Sequence, residues 1–130
     1  MTRKNISSGS PYEKLIGFSR AVRIKNMISV SGTAPIALDG STAFPNDLYG
    51  QTKRCLEIIK KAIEEAGGNF RDIIRTRIML INISKWQEAA QAHGEFFSGI
   101  KPATSFIGVK SFIDPDWLIE IEADCVIDND

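Results

Sequence analysis

The chain has 130 residues, 43% hydrophobic and 25% charged, which is enough apolar content for one self-sufficient domain and too much for a disordered chain. Lys plus Arg and Asp plus Glu both total 16, so the formal charge is zero. This excludes the overall basic excess with which nucleic-acid readers displace phosphate counterions, and it leaves room for self-association.

Residues 1–15 are polar and carry Ser7, Ser8, Gly9, Ser10 and Pro11. They read as a loosely held arm preceding a single domain over 16–130. The arm has no apolar core of the signal-peptide type. The longest apolar run, Ile78–Ile81, is too short to cross a bilayer. A cytoplasmic protein with no membrane partner is expected. Cys55 and Cys125 lack metal-ligand spacing and are read as reduced core thiols.

Residues 17–24 and 27–33 predict two strands joined by a turn at Lys25-Asn26. Ile28 and Val30 alternate with Ser29 and Ser31, the period of a half-buried strand. Leu48, Thr52, Cys55, Leu56, Ile59, Ala62, Ile63 and Ala66 recur at three- and four-residue steps and predict a helix over 46–66. Asn46 or Asp47 is the candidate N-cap, and Gly67-Gly68 the stop. An Ile-rich strand follows over 72–83. Ser84 with Gln87 has capping-box spacing and opens a helix carrying Trp86, Ala89, Ala90, His93 and Phe97 on one side. Strands over 103–112 and 117–127 close the chain. In the last, Ile119, Ile121, Ala123, Cys125 and Ile127 share one face, and Glu120, Glu122 and Asp124 the other.

The predicted order is β-β-α-β-α-β-β, a two-layer α+β domain with both helices on one sheet face. The other face would carry Ser29, Ser31, Thr33, Glu120, Glu122 and Asp124, with Arg75 and Arg77 if their strand is in phase. Such a face is either wet or paired with another subunit.

Five segments in order resemble the Rid/YjgF family: Ser31-Gly32-Thr33-Ala34-Pro35 followed by Gly40, Ala66-Gly67-Gly68, Asp72 to Ile78, Pro102-Ala103-Thr104-Ser105, and Glu120-Ile121-Glu122-Ala123. The resemblance spans about residues 16–127. It implies a chorismate-mutase-like α+β protomer and a homotrimer whose helix-free sheet faces turn inward, with small-metabolite clefts between adjacent subunits.

Deaminating members of that family hydrolyse enamines and imines derived from amino acids to 2-keto acids and ammonia. The family's arginine, third in P-A-R-S, suits the substrate carboxylate because its planar fork pairs with both oxygens. Thr104 occupies that position here. A hydroxyl in place of a charge-assisted pair costs on the order of 1.5–3 kcal/mol of binding, or roughly tenfold or more in affinity. Little or no 2-imino-acid deamination is therefore expected.

Phe18 stands where the deaminases have tyrosine, and Phe106 replaces a common cysteine. Glu120 matches the family's cleft glutamate, which can hold or activate a water; the plain alternative is a solvated or interface strand carboxylate. Ser31 and Gly32 match the ligand-contacting segment, or are simply a strand end. Thr104 and Ser105 offer hydroxyls to a polar ligand. Arg20 is a substitute cation for the position of Thr104, unless it serves an ordinary ion pair. His93, the only histidine, reads as a core residue. No metal or cofactor is expected. The competing activities are a hydrolase or deaminase using Glu120 and water, an endoribonuclease or translation inhibitor of the L-PSP type, and a scaffold for a partner protein.

Overall fold

In the computed structural model, which describes residues 2–128, six strands form one sheet in the order β1-β2-β3-β6-β4-β5. The strands are β1 (Arg3–Ile6), β2 (Ala21–Ile24), β3 (Met27–Thr33), β4 (Ile73–Leu80), β5 (Ala103–Gly108) and β6 (Ile119–Val126). The helices are α1 (Pro11–Ile16), α2 (Leu48–Glu65) and α3 (Trp86–Phe97). Met1, Asn129 and Asp130, at the ends of the expected arm and domain, lie outside the described residues. Among the described residues, no helix is long and apolar enough to cross a membrane.

The expected two-layer arrangement is present. β6 lies between β3 and β4, antiparallel to both, while β5 runs parallel to β4 at the sheet edge. A parallel pair needs a crossover, and α3 supplies it. Along β6, Ile119, Ile121, Ala123 and Cys125 are buried while Glu120, Glu122 and Asp124 are half-buried. Leu56, Ile59 and Ile63 of α2 pack into this core with no measurable exposure. Burying each contributes about 1.5–3 kcal/mol. Asp47 caps α2, its carboxylate accepting the Gly50 N–H at 2.9 Å. Gly67, at φ 89°, turns the chain out of the helix. Gly68 follows so close beneath β3 that a Cβ there would stand 2.7 Å from the Ile28 side chain.

Residues expected to be a loose arm instead supply β1 and α1. β1 pairs with β2 in antiparallel register from Arg3↔Ile24 to Ile6↔Ala21. Ser10 caps α1 in a capping box with Glu13. The first core strand is shorter than the sequence predicts: Gly17 ends α1 in the left-handed conformation (φ 88°), so Phe18 and Arg20 precede β2 rather than lying in it. The Ser84–Gln87 capping box does not form. Asn82 accepts the Ser84 N–H and caps a single 3₁₀ turn, Ile83–Lys85, that leads into α3.

On the helix-free face, β4 is in the anticipated phase: Arg77 pairs with Glu122 across the strands. Ile24, Met27 and Val126 are neighbours in the strand registers and are all exposed, Met27 by 59%. We expect Ile63→Ala to lower unfolding free energy by about 2–5 kcal/mol, read as a drop in the urea midpoint at unchanged slope.

Candidate functional site

The residues singled out in the sequence fall into two groups in the protomer. The first surrounds a bulge in β3. Pairing to β6 runs Val30↔Ala123 and then Thr33↔Ile121, so β3 spends one extra residue at Ser31-Gly32. A bulge bends its strand and re-aims side chains. Arg20 fills the space this creates and is only 5% exposed. Its Nη1 donates to Ser31 Oγ at 2.9 Å, the Gly32 carbonyl at 2.6 Å and Thr33 Oγ1 at 3.1 Å. Its Nε donates to Ser8 Oγ at 3.0 Å. Its guanidinium carbon lies 5.3 Å from the Phe18 ring centroid, in cation–π range.

Glu120 meets this group from β6. A Cβ on Gly32 would fall 2.8 Å from Glu120 Oε1, so glycine is what lets the carboxylate lie over the bulge. Glu120 accepts no hydrogen bond from a protein group among the described residues. Burial pushes its pKa up; the Arg20 charge works against that shift, and Glu122 adds to it. A half-buried carboxyl with raised pKa and unused acceptors is suited to holding a water or exchanging a proton. Arg20 itself feels burial, which favours loss of charge, opposed by the fields of Glu13 and Glu120.

The second group lies on the helix side of β5. Thr104 is in register with Thr76 of β4, and their hydroxyls are 2.8 Å apart. Thr76, fully buried, also lies 2.9 Å from His93 Nε2 of α3. Thr104 donates to the Pro102 carbonyl at 3.1 Å. Phe106 packs edge-on to Trp86 at 6.3 Å and to His93 at 6.5 Å. Ser105 faces the other way, in register with Arg77. Burial lowers the His93 pKa to about 4, so the ring is neutral at pH 7.

The protomer brings Phe18, Arg20, Ser31, Gly32 and Glu120 together, and separately Thr104 and Phe106. Glu120 is in register with Met79 on the helix-free face, while Thr104 is on the helix face beside Thr76. The sequence reading missed Ser8 and Thr76, and it placed Thr33 on the helix-free face, whereas the bulge turns Thr33 into the core at 1% exposure. For Thr76 a signal existed: it is the one hydroxyl at a core-facing position of an Ile-rich strand.

Two hollows adjoin the first group. A groove of about 440 Å³ on the helix-free face is lined by Phe18, Ser31, Glu122 and Asp124 among others. A cavity of about 270 Å³ lies between the Ser7–Pro11 segment and α2, with Arg20, Arg54 and Lys61 in its wall. Among the described residues, no three His, Cys, Asp or Glu side chains converge as a metal cluster. Cys55 and Cys125 are unpaired and buried, and burial raises both thiol pKa values, Cys125 to about 12.

A six-stranded sheet of this order with its helices makes the chain a small α+β protein, and the Endoribonuclease L-PSP family model matches residues 10–127. The chain belongs to this family, also called YjgF, RutC or Rid. It is 34% identical to a protein of Streptomyces coelicolor over 122 residues, covering 93% of this chain and 90% of that one. It is 33% identical to a RutC family protein of Pyrococcus abyssi, covering 82% and 83%. A crystal structure of a YjgF/YER057c/UK114 family member from Mycobacterium tuberculosis superposes with a TM-score of 0.88 at 38% identity, covering 97% of this chain and 100% of that chain. The Escherichia coli YjgF gene product gives 0.82 at 29% identity, covering 95% and 98%.

His93 supplies a pH prediction. Its folded pKa is lowered, so the unfolded chain binds more protons between about pH 6.5 and 4. Stability from this group is present above the unfolded value and is lost as pH falls through that window. We expect His93→Gln, which keeps a donor at the ε position, to flatten the loss in urea midpoint between pH 7 and 4.5.

Proposed function

We propose that this chain is a trimeric Rid-family protein that binds a small metabolite in clefts between subunits, without the ordinary 2-imino-acid deaminase activity. The observation that carries the reading is the chemistry at position 104. Thr104 holds a neutral hydroxyl where deaminating relatives place arginine, and of the two open-face arginines in register with its neighbours, Arg77 beside Ser105 is engaged with Glu122 while Arg75 beside Ala103 lies across from Asp124. Arg20 spends Nε and Nη1 on four acceptors of its own chain.

The inter-subunit cleft is supported by the separation of the two groups. Thr104 and Glu120 occupy opposite sheet faces in one protomer, so a ligand touching both meets them from two chains. The exposed apolar side chains Ile24, Met27 and Val126 on the helix-free face give such an assembly surface to bury.

A second reading is favoured by one observation, the free, half-buried carboxylate of Glu120 with its raised pKa. It is a hydrolase or deaminase in which Glu120 and water act on a substrate with no carboxylate to clamp.

Assaying 2-keto-acid release from freshly generated imino acids tests the first reading. We expect a rate at least about tenfold below that of an arginine-bearing relative; an equal rate refutes it. Hydrolysis of an uncharged imine that disappears in Glu120→Gln would favour the second. Light scattering should give three chain masses, and Met27→Asp should lower that mass.

A further inference from the structure

The Thr104 hydroxyl has one hydrogen and two internal acceptors within reach, the Pro102 carbonyl at 3.1 Å and Thr76 Oγ1 at 2.8 Å. Thr76 Oγ1, fully buried, also lies 2.9 Å from His93 Nε2, and the direction of donation along this row follows the His93 tautomer. With Nε2 protonated, donation runs from His93 through Thr76 to Thr104 and ends on Pro102; with Nε2 bare, it runs from Thr104 through Thr76 to His93. In either direction the Thr104 hydrogen is spent inside the protein, and Thr104, which is exposed, keeps acceptor capacity toward solvent.

From this polarity we infer that Thr104 is a specificity residue that accepts a hydrogen bond from its ligand, so that the site takes an amide, amine or ammonium group rather than a carboxylate. The inference rests on the metabolite-cleft reading and deepens it by naming the ligand class. A carboxylate carries no hydrogen and would require the Thr104 hydroxyl to release its internal acceptor and turn outward. Giving up one neutral hydrogen bond corresponds to roughly a two- to tenfold preference for donor ligands. Glu120 adds to the same selectivity if the cleft brings it alongside, since its carboxylate also presents only acceptors when ionised.

The test uses methyl-labelled threonine spectra of the intact protein titrated with propionamide, propylammonium and propionate. The Thr104 methyl should report affinities for the first two at least about twofold above propionate, and Thr104→Val should erase the difference. Thr76→Val, a buried swap of similar volume, should narrow the preference while leaving the protein folded. Equal or tighter binding of propionate overturns the inference. So does a Thr104 methyl that no probe moves. In that case, shifts near Phe18 and Ser31 would leave the cleft reading intact, and silence there would sink that reading too.

Discussion

One buried cation holds the candidate site together. Arg20 is withdrawn almost fully from water, a position that is costly unless its donors are paired. Its acceptors come from separate parts of the chain: Ser8 from the segment after β1, and Ser31, Gly32 and Thr33 from the end of β3. The carboxylates whose fields offset its burial, Glu13 and Glu120, come from α1 and β6. The guanidinium thus ties the N-terminal segment, the bulge and the central strand to one point. Its position also shapes Glu120: without a nearby positive charge, burial beside Glu122 would push that carboxyl further toward neutrality.

The bulge is what makes room for this arrangement. One extra residue in β3 turns Thr33 inward to the core, where it is almost fully buried, and presents the Gly32 carbonyl to Arg20. The missing side chain at Gly32 is filled from the other side by Glu120. Cation, backbone carbonyl and carboxylate are therefore stacked through a single glycine, and any side chain there would displace the acid.

The sequence made the core elements legible where burial leaves a period. α2 has a continuous apolar stripe, and β6 alternates strictly over its whole length, so both emerge close to their true bounds. β1 left no such mark because only Ile6 of its four residues is buried; it is a strand through pairing with β2, and pairing is not written in hydrophobicity. Residues 17–20 carried strand-like apolar content, but the left-handed turn at Gly17 overrides it. At the start of α3 two caps compete, and Asn82 wins because its side chain reaches the Ser84 N–H two residues on. Arg20 was legible as an unusual cation, and Thr104 as an unusual hydroxyl. What each touches was not, because their partners lie far away in sequence.

The two residue groups also divide the chemistry in a way a residue list conceals. One face of the sheet offers a carboxylate with unused acceptors, and the opposite face of an edge strand offers a hydroxyl whose proton is turned inward. Of the cations beside them, Arg77 is engaged with Glu122 and Arg20 is largely consumed by the fold, while Arg75 is exposed in register with Asp124. A ligand that brings negative charge would meet acceptors at both places, and it would lose hydration without regaining donors. A ligand rich in N–H groups meets the opposite situation. In the reading proposed above, a hydroxyl in place of a guanidinium at one edge-strand position thus changes the class of ligand as well as its affinity.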